Sequence, residues 1–266
     1  MKLNQISRSE LPVVVTFRAY EEGEETESLF RKTGFSGRNI PLLVINPVYD
    51  DDSFSAFSRL EDFDILILTS VHALYSCVAI MEMLEQSFAK HPRLKLACVG
   101  EKTAVKALEY FTGNDLIIPD TYSADGLVAI FKTMGIKDKK LLLPVSNLSR
   151  ESFAHDLVAL GATVERVIVY KTDPPPHESW SLIRAELDIT SPDFLIFTSP
   201  STFRNFLMVF GGEAEMVLGE CYVCAIGDVT KKAIEERGYH VFMTPRVYTL
   251  ETLLTELKQY ILENNF

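Results

Sequence analysis

The residues of this chain best suited to chemistry are short hydroxyl phrases at helix starts. Thr69-Ser70 ends the apolar run Ile65–Leu68, and Thr198-Ser199-Pro200-Ser201 ends the run Phe194–Phe197. Thr103 and Thr230 each stand three residues after a glycine, Gly100 and Gly227. A hydroxyl at a strand's carboxyl end, where a helix begins, sits where open α/β sheets bind ligands and where backbone N–H groups receive anions. The competing role of each is to cap its helix. Arg18 and Arg150 follow equivalent strands and can add charge-assisted contacts, with a surface ion pair as the competing role. Little else suggests catalysis. There are five histidines, and only His72, just after Thr69-Ser70, has a suggestive position. Metal-ligand clusters, a nucleotide-binding glycine loop and an interpretable Ser/His/Asp set are all missing from the pattern. Cys221 and Cys224 form one CxxC, too little for a metal or redox motif, and the four cysteines read as reduced core thiols.

The hydroxyl phrases occur twice. DILILTSVHAL (64–74) is echoed by DFLIFTSPSTFR (193–204), and ACVGEKTAVKAL (97–108) by CAIGDVTKKAI (224–234). IIPDTYSADGLVAIF (117–131) matches FMTPRVYTLETLLTEL (242–257), and VVVTFR (13–18) matches LLLPVSN (141–147). Gly34 and Gly161 close equivalent helices. The near-constant offset indicates an internal duplication with halves near 1–128 and 139–266. A period this long means two similar domains rather than a solenoid.

Composition is consistent with that. The chain has 266 residues, 47% of them hydrophobic, enough for two ordinary cores. A formal net charge of −11 and the lack of a basic run argue against nucleic acid and anionic membranes as partners. No apolar stretch approaches the ~20 residues of a membrane helix. The start, MKLNQISRSELP, lacks the apolar core of a leader, and a cytoplasmic location is expected.

The elements that position these residues read as strands alternating with helices. Strands are expected at Val13–Thr16, Pro41–Asn46, Ile65–Leu68, Leu94–Val99, Leu116–Ile118, Leu141–Pro144 and Val164–Lys171. Helices are expected at 21–32, 73–84, 104–110, 124–134 and 152–160, and the second half repeats the pattern to Phe266. Such alternation implies parallel sheets with right-handed crossovers. Breaks at Pro47–Asp52 and Asp173–Pro176 occupy equivalent places, which suggests that the chain crosses twice between domains. The expected fold is α/β, with two similar parallel-sheet domains. One is discontinuous, 1–44 plus 175–266; the other, 48–168, is inserted, with connectors near 45–50 and 167–174. Two sequential domains are the other arrangement.

Together these phrases carry a resemblance. A strand ending in Thr-Ser and a Gly-x-x-Thr-Ala helix start lead into Pro-x-Ser-Asn-x-x-Arg-Glu (Pro144–Glu151). V-x-x-V-x-V-Tyr-Lys-Thr (Val164–Thr172), I-F-T-S-P-S (196–201) and A-I-G-x-x-T (225–230) follow. In order and spacing the chain resembles the uroporphyrinogen-III synthase family over nearly its full length. The resemblance implies two flavodoxin-like domains joined by a two-stranded connector, and a cofactor-free lyase. Such an enzyme cyclises hydroxymethylbilane, a linear tetrapyrrole with eight carboxylates, and inverts its last pyrrole as water leaves.

For the site, the resemblance implies Tyr170 as proton donor, because the family's functional tyrosine lies in the same phrase; its competing role is interfacial packing. Arg18, Ser70, Thr103, Arg150, Ser199, Ser201 and Thr230 are then the candidate substrate-binding residues, and neither metal nor cofactor is expected. The chain departs from the family pattern at three points. Val71 replaces a proline, Phe17-Arg18 stands where Thr-Arg is typical, and Asp228-Val229 places a carboxylate where a polyanion is to bind. A monomer is expected, with the enzyme that supplies hydroxymethylbilane as a candidate partner. The alternative is a two-lobed small-molecule-binding or regulatory protein that keeps the fold without catalysis.

Overall fold

A computed structural model describes residues 12–111 and 115–264. The stretch MKLNQISRSEL, read above for a leader, lies outside them. Contacts divide the chain into two compact units, Met1–Val44 with Asp173–Phe266, and Ile45–Thr172. Among the described residues no helix is long and apolar enough to cross a membrane.

The chain opens with the β-branched strand β1 (Val13–Thr16) and helix α1 (Gly23–Thr33). Glu24 and Glu25 lie in the first turn of α1 and Arg31 and Lys32 in its last, which matches the helix dipole. Gly34, at φ 85°, takes the left-handed conformation that closes the helix. The second strand is β2 (Ser36–Asn39), not the apolar run Pro41–Asn46. It is a polar edge strand parallel to β1. It fits only because Gly37 lacks a side chain: a Cβ there would lie 2.7 Å from Val14 and 2.9 Å from Phe30. Within Pro41–Asn46, Leu42 is core and only the end is strand.

That end belongs to β3 (Val44–Pro47), where the chain enters the second unit. There follow α2 (Asp51–Ser58), β4 (Ile65–Leu68), α3 (Val71–Met83), β5 (Lys95–Cys98), α4 (Glu101–Ala107), β6 (Leu116–Ile117) and α5 (Ala124–Met134). Then come β7 (Lys140–Ser146), α6 (Ser152–Ala159) and β8 (Thr163–Asp173). Helix α2 occupies what the sequence presents as a break. Its aspartates are a start signal, because Asp50 and Ser53 form a reciprocal capping box. The strands lie in the order β3-β8-β7-β4-β5-β6, and the pairs from β8 to β6 are parallel. All four residues of β4 are buried. Leu66 and Leu68 face a core beneath α2, α3 and α4, and Ile65 and Ile67 face one beneath α5 and α6. Burial on both faces explains the unbroken apolar run.

The chain then returns to the first unit with α7 (Trp180–Thr190), β9 (Phe194–Phe197), α8 (Pro200–Phe210), α9 (Ala214–Glu220), β10 (Tyr222–Ala225), α10 (Asp228–Glu235) and α11 (Leu250–Asn264). Its sheet is fully parallel, in the order β10-β9-β1-β2, and one parallel bridge from Cys224 to Met243 extends it past β10. Phe17, Phe197, Phe203 and Phe206 pack one face, with Phe17 stacked on Phe197 at 5.0 Å. Phe194, Ile196 and the leucines of α11 pack the other.

Candidate functional site

In each sheet the winding reverses once, between β1 and β9 in the first unit and between β7 and β4 in the second. Open α/β sheets bind ligands outside the carboxyl ends of the strands at such a reversal. The loops there carry Arg18 and Ser199 in the first unit, and Arg150 and Ser70 in the second.

In the second unit Ser70 caps α3, its Oγ accepting the Ala73 N–H at 3.1 Å. The same Oγ lies 3.1 Å from the Tyr170 hydroxyl. Tyr170 is only 8% exposed, and a register shift puts it there. Along β8, Val167 points in, Ile168 out and Val169 in, so strict alternation would turn Tyr170 out. Instead Val145 pairs with Ile168 and Ser146 with Tyr170, leaving Val169 as the extra residue of a bulge. The bulge re-aims the next side chain, and Tyr170 joins Val167 and Val169 in the core. Asn147 fixes the chain around it. Its N–H donates to the Tyr170 carbonyl at 3.2 Å and its Oδ1 accepts the Thr172 N–H at 3.0 Å. Ser146 and Ser149 hold the loop closed, and Arg166 Nη2 donates to the Ser149 carbonyl at 2.9 Å. Arg150 is exposed beside them. The His72 ring lies 6.0 Å from that of Tyr170. Thr103 is buried in the first turn of α4.

In the first unit Asn39 ties down the end of β1: its Oδ1 accepts the Arg18 N–H and the Thr16 hydroxyl, both at 2.9 Å. The Arg18 guanidinium is turned onto its own unit. It pairs with Glu22, lies 3.8 Å from Glu25 and donates to the Thr26 hydroxyl at 3.2 Å. Ser199 caps α8 in a reciprocal box with Thr202, and its Oγ lies 2.8 Å from that of Ser201. Thr230 is buried in the first turn of α10. Ser70 and Ser199 thus cap their helices and each also meets a further hydroxyl, whereas Thr103 and Thr230 are buried.

Two tyrosines at this edge hold carboxylates, a pairing that the sequence pattern does not mark. The Tyr248 hydroxyl donates to Asp228 Oδ2 at 2.6 Å, and the Tyr122 hydroxyl donates to Glu101 Oε2 at 3.1 Å. Each carboxylate is the first residue of its helix, and hydrogen bonding to it pushes the tyrosine's pKa up. Asp228 is therefore no isolated departure, because Glu101 makes the same pair in the other unit. Burial pushes the thiols of Cys98, Cys221 and Cys224 up to about 12. Among the described residues no three His, Cys, Asp or Glu side chains gather as a metal site.

The family model described as uroporphyrinogen-III synthase HemD matches residues 24–255. A protein of Methanocaldococcus jannaschii, provisionally assigned as a uroporphyrinogen-III synthase, is 29% identical over 249 residues, 93% of this chain and 98% of its own length. The uroporphyrinogen-III synthase of Chlorobaculum parvum is 28% identical over 156 residues, 56% of this chain and 63% of that protein. Among solved structures, the uroporphyrinogen-III synthetase of Helicobacter pylori shares the fold with a TM-score of 0.64 at 17% identity, covering 94% of this chain and 100% of that one. The family match runs from α1 to α11 and takes in β4, β8 and β9, the strands that carry the Ser70, Tyr170 and Ser199 phrases, and on that ground the chain belongs to the uroporphyrinogen-III synthase family.

Proposed function

We propose that this protein closes hydroxymethylbilane to uroporphyrinogen III, inverting the last pyrrole ring and releasing water, as a lyase of tetrapyrrole biosynthesis that needs no cofactor. The observation that carries this reading is the nearly buried Tyr170 hydroxyl, 3.1 Å from the Ser70 hydroxyl at the sheet's reversal point, in a chain of this family. Hydroxide is a poor leaving group. A proton must reach the hydroxymethyl oxygen as the C–O bond breaks, giving water and an azafulvene cation. Attack on that cation by the substituted carbon of the last pyrrole gives a spiro intermediate, which fragments and recloses with the ring inverted. Tyr170 donates the proton, and the Ser70 hydroxyl, already oriented by the Ala73 N–H, holds the phenol in line.

The remaining task is to fold a flexible polyanion into a ring-closing geometry. Ser199, Ser201, Thr103 and Thr230 stand at helix starts, where hydroxyls and N–H groups hold carboxylates. Arg150 adds a charge-assisted contact. Arg18 adds less, because its charge is already shared with Glu22 and Glu25. We further infer that the two units are flavodoxin-like copies from one duplication, with domain limits near 1–44 plus 175–266 and 48–168, in a cytoplasmic monomer.

The test is Tyr170→Phe, assayed with enzymatically supplied hydroxymethylbilane. Loss of general-acid catalysis lowers turnover by about 10²–10⁴-fold. Stability changes by no more than ~1 kcal/mol, the net worth of one hydrogen bond. Product shifts to the non-inverted isomer, which forms unaided. A variant with near-normal rate and inverted product would make Tyr170 a packing residue.

A further inference from the structure

Each unit holds an exposed tyrosine at the same place in its chain order, just before the helix that follows. Tyr122 is 58% exposed and Tyr248 56%, yet each is fixed by its hydroxyl to a carboxylate 20 or so residues earlier. The surroundings match in the order of their residues, though nothing lies within 4 Å of a Cβ on Gly100. Glu101 and Asp228 are the first residues of α4 and α10, directly after Gly100 and Gly227. Tyr122 and Tyr248 immediately precede Ser123 and Thr249, whose hydroxyls accept the Gly126 N–H at 3.0 Å and the Thr252 N–H at 3.1 Å as the next helices begin. In the first unit the ring also lies over the helix start: a Cβ on Gly227 would meet Tyr248 ring carbons at 3.0 Å. Gly227 has an extended backbone, so it is this contact that calls for glycine.

Both pairs lie at the carboxyl edge of a parallel sheet, the edge that carries Ser70 and Thr103 in one unit and Ser199 and Thr230 in the other. A carboxylate there repels a polycarboxylate ligand. Its presence twice calls for a ligand group that a carboxylate attracts, and a pyrrole N–H is one. An oriented phenol ring beside it supplies a flat face for a heteroaromatic ring, with a geometry set by the ring quadrupole. On the reading given above, which this inference deepens, the substrate carries both kinds of group: carboxylates for the helix starts and pyrroles between them.

We propose that Tyr122 with Glu101, and Tyr248 with Asp228, are pyrrole-binding positions, in which the tyrosine ring supports a pyrrole face and the carboxylate that it holds accepts the pyrrole N–H. The hydrogen bond from phenol to carboxylate orients both groups before the ligand arrives. It also spreads part of the negative charge that would otherwise face the ligand's carboxylates.

The experiment is calorimetric titration of the full chain with uroporphyrinogen III kept reduced, for Tyr122→Leu, Tyr248→Leu, Glu101→Gln and Asp228→Asn, with thermal melting alongside. Each leucine variant is expected to bind about tenfold more weakly, the scale of one lost aromatic contact. The amide variants decide by sign. Removing a negative charge from the neighbourhood of a polyanion tightens binding on electrostatics alone. Here it is expected to loosen binding a few-fold, because a carboxylate is the stronger N–H acceptor. Unchanged affinity in the leucine variants, or tighter binding in Glu101→Gln and Asp228→Asn, overturns the proposal. So does an unaltered protein that does not bind uroporphyrinogen III. Should a leucine variant melt before the titration, the amide pair decides. Turnover of hydroxymethylbilane by the unaltered protein is scored separately. Binding without turnover removes the reaction and leaves the pyrrole positions standing, whereas turnover with unaffected variants removes the pyrrole positions alone.

Discussion

Asn147 is the residue on which the aim of Tyr170 depends. The bulge at Val169 interrupts the pairing of β8 with β7 just before Tyr170, and Asn147 supplies two hydrogen bonds just after it, to the Tyr170 carbonyl and from the Thr172 N–H. Asn147→Ala removes the side-chain contact to the Thr172 N–H and keeps the backbone contact to the Tyr170 carbonyl. Stability is expected to fall by about 1 kcal/mol, the net value of one hydrogen bond. On the role proposed for Tyr170 as proton donor, turnover is expected to fall further, about 10–100-fold, because small displacements of a reacting group are costly. KM should change little. In a Tyr170→Phe background the same substitution should have little further effect on rate, since both changes act on one group. Rate measurements and a melting curve for the two single variants and the double variant check this. The sequence carries Asn147 within the Pro144–Glu151 phrase, but its role depends on a slip between two strands that no local pattern records. Tyr122 and Tyr248 were hidden differently. Their match between the two halves is visible in the sequence, whereas the carboxylate that each holds comes from the start of the preceding helix.

At the scale of elements, the legible ones are those whose own side chains bury them. β4 and β9 are apolar on both faces, and α5 has its periodicity, its Ser123 cap and its closing glycine. β2 was not legible, because SGRN is an edge strand whose burial comes from α1 and β1 rather than from itself. Such a strand is specified by what it lacks. Gly37→Ala places a methyl 2.7 Å from the Val14 side chain and 2.9 Å from its carbonyl. Overpacking of this kind costs about 1–3 kcal/mol, to be read as an earlier denaturant midpoint with an unchanged slope. α2 was misread for the opposite reason. Its three consecutive aspartates suggest a loop, yet one caps the helix and the other two meet the positive end of its dipole.

At the scale of the whole molecule, acid sensitivity has an identifiable contributor. Burial raises the Asp64 carboxyl, but the Lys139 ammonium at 2.8 Å, the Lys140 N–H at 2.9 Å and the charges of both lysines outweigh it, so its pKa lies below the usual carboxylate range. A depressed folded pKa stabilises the native state above the unfolded value, and that contribution is lost as pH falls through the folded value. Asp64→Asn should therefore lower stability at pH 7, by less than ~1 kcal/mol because the pair is solvent-screened. The gap between variant and parent should close below pH 4, in melts run along a pH series.

The sheet of the first unit has one further consequence, which concerns synthesis. β1 is hydrogen-bonded on one side to β2, its near neighbour in sequence, and on the other to β9, with Val14 opposite Phe194 and the Val13 N–H donated to the Asp193 carboxylate at 2.8 Å. A ribosome makes β1 well before β9, which follows every strand of the second unit. Ile45–Thr172 can then assemble from contacts within itself while β1 and β2 wait, a partly apolar pair with the β9 edge of β1 open to whatever strand it meets. Non-local pairing of this kind also slows refolding from denaturant. Pulsed hydrogen exchange during refolding should find the amides of β4, β5 and β7 protected in an early phase, and those of β1 and β9 in a later, slower one. Within this sheet, the strand made earliest waits longest for its second partner.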